Sequence, residues 1–192
     1  GARAPTNPPR PRKGGVRATP LTVRTGAYTR AIQDLDAGVN VYGCPAPSFV
    51  EIVEHELATG AHLQERWLQD GDIFDTPENR AEVERTLAPI VEGGAQVDTV
   101  VLGCTHFPLL AGPIRHALGP DVRVVSSAEE TTRELEDILR RRDQLAGIGH
   151  RPAHRFATTS DNIAEFAAAG SFIFGQPLKS IEHVSLDELR GL

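Results

Sequence analysis

The segment Leu102-Gly103-Cys104-Thr105-His106-Phe107-Pro108 places a thiol, a hydroxyl and an imidazole at three consecutive positions, directly after the β-branched run Val97–Leu102. A thiolate works as base or nucleophile at neutral pH when a neighbouring imidazole or a helix-end dipole stabilises it. The glycine before it lets backbone approach a ligand closely. In an open α/β sheet, ligands gather beyond the carboxyl ends of the strands, where helix N-termini turn donors towards anions. The residues alone leave two readings of Cys104 open. It is a proton-transferring or nucleophilic thiol, or it is a packed structural one, since free cysteine is among the most buried residue types. The second cysteine, Cys44, stands sixty residues earlier, ahead of Pro45, and reads as a small packed residue before a turn. This spacing fits neither a zinc site nor a disulfide framework, which predicts free thiols and a reducing, cytoplasmic setting. The six histidines other than His106 lack ligand spacing and companion cysteines, so no metal site is expected.

Such side chains act only when a frame positions them, and the hydrophobic pattern predicts one. Residues Gly1–Gly15, with Pro5, Pro8, Pro9 and Pro11 among basic residues, cannot form a helix interior and read as a disordered lead-in. A short extended piece covers Val16–Thr19. A helix over Gly26–Leu35 aligns Tyr28, Ile32 and Leu35, and a strand covers Val39–Tyr42. Ser48 is the expected N-cap of a helix bearing the stripe Phe49, Val53 and Leu57, with a second helix running through Trp67. Thr76 followed by Pro77 starts a helix carrying Val83, Leu87, Ile90 and Val91. Val97–Leu102 and Asp121–Ser126 look like buried parallel strands. Ser127 with Glu130 forms a capping-box pattern, opening a charged helix that turns Leu135, Ile138 and Leu139 inward and ends on Arg140–Arg142. A strand over Arg155–Thr159, a helix capped by Asp161 and a last strand over Ile181–Ser185 complete the chain. Alternating strands and helices predict a doubly wound α/β fold.

Composition narrows the function further. The chain has 192 residues, 40% hydrophobic and 24% charged, an ordinary globular balance. That length can bury roughly 70% of the unfolded surface, so no disulfide or structural metal is required. A net charge of −6, with 26 acidic against 20 basic residues, argues against nucleic-acid binding. No run approaches the roughly 18 apolar residues of a membrane span, and no signal-peptide core is present. No glycine-rich phosphate loop follows a strand, so no nucleotide cofactor is expected. Methionine is absent throughout, which reads as a fragment or processed product.

Val100-Val-Leu-Gly-Cys-Thr-His-Phe-Pro-Leu-Leu110 closely resembles the C-terminal active-site motif of the glutamate racemases, within the aspartate/glutamate racemase family. The resemblance extends through Ala18–Val23 with Gly26-Ala-Tyr28, Cys44-Pro45, Phe49–Glu54, Ser126–Thr131 and Arg155–Asp161, from about Val16 to Val184. It implies a flavodoxin-like α/β racemase lobe over 16–103. The remainder, 104–192, would carry the active-site motif and the C-terminal part of a second, similar lobe. It further implies cofactor-independent inversion of L- and D-glutamate by two thiols on opposite faces of the α-carbon. Cys104 and His106 would serve catalysis, Thr105 and His106 substrate binding, and Glu54 would assist as a carboxylate. The family's other catalytic cysteine, in a Cys-Asn-Thr motif, has no matching position here, and Cys44 aligns with a cysteine that the family does not use for proton transfer. The resemblance therefore implies a C-terminal portion, inactive alone, that forms a homodimer or associates with a missing N-terminal half. A related aspartate racemase and a non-catalytic glutamate-binding remnant are the alternatives. The proline cluster, Arg17 in a strand that is apolar in the family, and an apparent insertion around Trp67–Phe74 depart from the family pattern.

Overall fold

The computed structural model describes residues 12–58, 73–91 and 97–190. They divide between two compact units, Gly1–Val53 with Phe74–Ile138, and Glu54–Ile73 with Leu139–Leu192. The boundary expected between residues 103 and 104 falls inside the first of these.

The first unit is built on β1 (Lys13–Ala18), β2 (Asn40–Pro45), β3 (Thr99–Leu102) and β4 (Arg123–Ser126), which form one sheet in the order β2-β1-β3-β4. All pairings are parallel, with Val16 opposite Gly43 and Val101, and Val101 opposite Val125. Parallel strands need crossovers, and crossovers are right-handed. The connection from β1 to β2 steps one way along the sheet, while those from β2 to β3 and from β3 to β4 step the other way. The first connection therefore lies on one face and the other two on the opposite face. The first holds α1 (Pro20–Thr25) and α2 (Ala27–Leu35). The others hold α3 (Pro47–Ala58), α4 (Pro77–Val91) and α5 (Ala111–Leu118), and α6 (Ser127–Arg141) follows β4. This is the doubly wound arrangement that the alternation predicts.

The core lies between the sheet and the face carrying α3, α4 and α5. Phe49, Val53, Val83, Leu87, Val100, Phe107 and Ile114 are all fully buried. The rings of Phe49 and Phe107 meet edge to face with centroids 5.1 Å apart. The expected stripes on α3 and α4 hold, except that Val91 is exposed. Thr76 caps α4 as expected, its Oγ1 accepting from Asn79 N at 3.1 Å.

Several boundaries move. β1 begins at Lys13 and Gly15 is buried, so the lead-in stops short of residue 15; residues 1–11 lie outside the described residues, as does the helix expected through Trp67. Glycine is needed at position 26, where φ of 64° ends α1 and allows α2 to start, splitting what reads as one helix. Pro47, not Ser48, opens α3, and Ser48 Oγ instead pairs with Thr86 Oγ1 at 2.9 Å. Ser126, not Ser127, caps α6, accepting from Glu129 N at 3.2 Å. Leu135 is exposed and no residue of α6 is buried; nor is any of α2, where Leu35 is exposed. Periodicity reports an amphipathic helix but not whether a partner covers its apolar face.

The second unit contains the parallel pair β5 (Phe156–Thr158) and β6 (Ile181–His183), with α7 (Ile163–Phe174) and α8 (Leu186–Arg190). Asn162, not Asp161, caps α7 by accepting from Glu165 N at 3.1 Å, and the helix runs eight residues past the expected Phe166. Phe174 packs edge to face on His154 and Phe156, with centroids 5.0 and 5.1 Å away. Ser185 and Glu188 form a capping box at α8.

Replacing Phe107 by alanine removes one half of the edge-to-face pair from a fully buried position. It should cost about 3–5 kcal/mol, read from the urea midpoint. A loss below about 1 kcal/mol would mean that this contact does not anchor the first unit.

Candidate active site

Where the strand order reverses, between β1 and β3, the carboxyl ends of neighbouring strands diverge and leave a crevice for a ligand. The Cys104 loop leaves the sheet at that place. Gly103 N donates to Arg17 O at 2.8 Å, extending the β1–β3 ladder by one bond beyond the end of β3. The chain then turns at once, Phe107 N donating to Cys104 O at 3.2 Å and Leu109 N to His106 O at 3.1 Å. A 3-10 turn over Phe107–Leu110 follows, with Phe107 and Leu110 fully buried beneath it. Two apolar anchors thus hold the far side of a loop whose near side is tied to β1.

On this loop Cys104 Sγ and His106 Nδ1 stand 3.6 Å apart, within hydrogen-bond reach for sulfur. Both side chains are half-buried, and Thr105 between them is exposed. The structure therefore brings together three of the four residues singled out from sequence. The fourth, Glu54, lies on α3 with its side chain exposed, at the start of the second unit.

Two residues that spacing does not single out shape the loop. A Cβ at Gly103 would lie 2.8 Å from Cε2 of Tyr28, so the ring from α2 occupies the space that any other residue there would need. Ser127 Oγ donates to Leu102 O at 2.7 Å, tying the start of α6 to the last residue of β3. The glycine before Cys104 is the sequence signal for the first contact. The second has none until the register of β3 against β4 is known. At the end of β1, Thr19 caps α1, its Oγ1 accepting from Thr22 N at 3.4 Å.

Among the described residues, no three His, Cys, Asp or Glu side chains are grouped to hold a metal ion. No helix among them is long and apolar enough to cross a membrane.

A parallel sheet ordered 2-1-3-4, with a thiol and an imidazole at its switch point, defines a flavodoxin-like α/β protein bearing a thiol site. Known proteins sharpen that class. No protein-family model matches the chain. It is 34% identical over 161 residues to the glutamate racemase of Oceanobacillus iheyensis, covering 84% of this chain and 53% of that protein. Its fold matches the glutamate racemase isoform RacE1 of Bacillus anthracis with a TM-score of 0.73 at 31% identity, covering 92% of this chain and 59% of that one. The Francisella tularensis glutamate racemase, solved in complex with D-glutamate, gives a TM-score of 0.73 at 23% identity, a likeness of fold alone. The chain spans a little over half the length of the curated relatives it matches. The resemblance carried by Val100–Leu110 thus extends to most of this chain, in sequence and in fold.

The contact at Gly103 yields a test of how the loop is held. Gly103→Ala should destabilise the chain by about 1–3 kcal/mol through overpacking. Combined with Tyr28→Ala, the two costs should be non-additive by at least about 0.5 kcal/mol in a double-mutant cycle. Additivity would remove Tyr28 from the account.

Proposed function

We propose that this chain is the C-terminal portion of a cytoplasmic glutamate racemase and supplies Cys104 as one of two proton-transfer thiols. The observation that carries the reading is the pairing of Cys104 Sγ with His106 Nδ1 at 3.6 Å, on a loop leaving the sheet at its switch point. Inversion at an α-carbon needs a base on one face and an acid on the other. A thiolate removes the α-proton, a thiol returns one from behind, and each sulfur exchanges role when the reaction runs backwards. His106 stands where it can hold or release the thiol proton. Thr105, exposed between them, can donate its hydroxyl to a substrate carboxylate, and Glu54 assists as a carboxylate. Negative charge develops on the substrate in the transition state, so oriented donors contribute more there than in the ground state. No cofactor takes part.

The opposing thiol is supplied by another polypeptide segment. The second unit supports this reading. A two-stranded sheet is marginal by itself, and parallel strands are ordinarily covered on both faces. Here β5 and β6 pair only with one another among the described residues. α7 is strongly apolar, yet no residue of it is buried, and Ile173 is 62% exposed. Such a surface suits association with the remaining half of a racemase or with a second copy of this chain.

Two measurements test the proposal. Glutamate should slow alkylation of Cys104 by iodoacetamide, and Thr105→Ala should weaken that protection several-fold. In deuterated water the isolated chain should not interconvert the two enantiomers, and any α-proton exchange should vanish in Cys104→Ser. Interconversion by this chain alone would overturn the two-segment reading. Exchange surviving in Cys104→Ser, or alkylation indifferent to glutamate, would remove Cys104 from the mechanism.

A further inference from the structure

Tyr28 stands in the first turn of α2, near the carboxyl end of the sheet, because the chain has to return from the end of β1 to the start of β2 through α1 and α2. There the polar tip of its ring meets the start of the Cys104 loop. The place that a Cβ would take at Gly103 is 2.8 Å from Cε2 of the ring, 3.0 Å from Cζ and 3.2 Å from the hydroxyl oxygen. The contact thus engages the phenolic edge of the ring, one residue before the thiol. Packing against Gly103 accounts for the ring but not for the hydroxyl. The polar groups nearest Tyr28 in the chain are already engaged with one another. Thr19 Oγ1 and Thr22 Oγ1 pair at 3.0 Å, Thr25 Oγ1 donates to Thr22 O at 2.7 Å, and Arg30 Nη1 donates to Thr25 O at 2.7 Å. At the end of β3, Ser127 Oγ is bound to Leu102 O. Tyr28 Oη enters none of these bonds, and the donor of this half-buried phenol is left for another partner.

We infer that the Tyr28 hydroxyl is a substrate contact of this site, donating to the α-carboxylate of an amino acid whose α-carbon lies against Cys104. The inference rests on the racemase reading of Cys104. Its chemistry follows from position. The α-carboxylate is one bond from the reacting carbon, whereas the γ-carboxylate of glutamate is three bonds away, so a donor held beside residue 103 serves the former. When a thiolate takes the α-proton, the electron pair left on carbon spreads into the α-carboxylate. A fixed donor there holds the added charge more strongly than it held the ground state. A neutral phenol suits the task, since it donates without first gaining or losing a proton. Tyr28 and Thr105 then reach the substrate from different elements, α2 and the loop itself.

The test uses the full chain, with iodoacetamide as probe and labelling at Cys104 read by mass spectrometry. Protection is the ratio of labelling rates with and without ligand in the same chain, so a change in the thiol's own reactivity cancels. Tyr28→Phe keeps the ring against Gly103 and removes only the hydroxyl. Glutamate should protect the unaltered chain, and half-protection of Tyr28→Phe should need about tenfold more of it, the loss expected for one hydrogen bond to a charged group. Isoglutamine, which carries an amide in place of the α-carboxylate, should be weakened clearly less by the same substitution. Half-protection at the same glutamate concentration in both chains overturns the inference and leaves the racemase reading in place. An equal loss for glutamate and isoglutamine also overturns it, because that result reports a displaced loop and no contact with the α-carboxylate. If glutamate protects neither chain, the racemase reading falls and this inference falls with it.

Discussion

Parallel pairing between β1 and β3 organises everything that can act in the first unit. Because β1 sits between β2 and β3, the chain has to leave it in one direction and return past it in the other. That reversal puts the helices of the two directions on opposite faces of the sheet. The crevice at the carboxyl ends of β1 and β3 follows from strand order alone. The bond from Gly103 N to Arg17 O then fixes where β3 ends and the Cys104 loop begins. With Phe107 and Leu110 buried on the loop's far side, the thiol and imidazole are confined to a short arc. A loop held at both ends can keep two side chains 3.6 Å apart.

Much of this frame is legible in the sequence because its signals are local. β-branched runs mark β3 and β4, the Thr76-Pro77 start marks α4, and the apolar spacing on α3 and α4 names core residues that are indeed buried. The motif around Cys104 is legible because three functional side chains are adjacent in the chain. What escapes is what depends on register. Ser126 and Ser127 are equivalent as candidate caps until β4 is aligned with β3. The alignment places Ser126 opposite Leu102, in a position to cap α6, and leaves the Ser127 hydroxyl to bind the Leu102 carbonyl. Asp161 and Asn162 pose the same ambiguity, resolved by which side chain reaches Glu165 N.

Amphipathic helices show a different limit. α2 and α6 have apolar stripes that a pattern-based reading turns inward, yet neither buries a residue. A stripe records the surface a helix was selected to offer, and the partner need not belong to the described residues. In the second unit, α7 is apolar over most of its length, and its pair of strands would ordinarily need further strands beside them. The chain spans a little over half the length of the racemases it resembles.

Arg17 links the two cysteine-bearing strand ends through different atoms. Its carbonyl accepts from Gly103 and so registers the Cys104 loop, while its side chain rises on the face shared with Cys44. A backbone contact is indifferent to residue type, so the geometry at Cys104 does not require an arginine at position 17. An apolar residue would fill the same space with no charge to compensate. Burial holds the guanidinium below its ordinary range and its three nitrogens find no hydrogen-bond partner, so β1 carries the desolvation cost of a cation that the register at Cys104 does not call for.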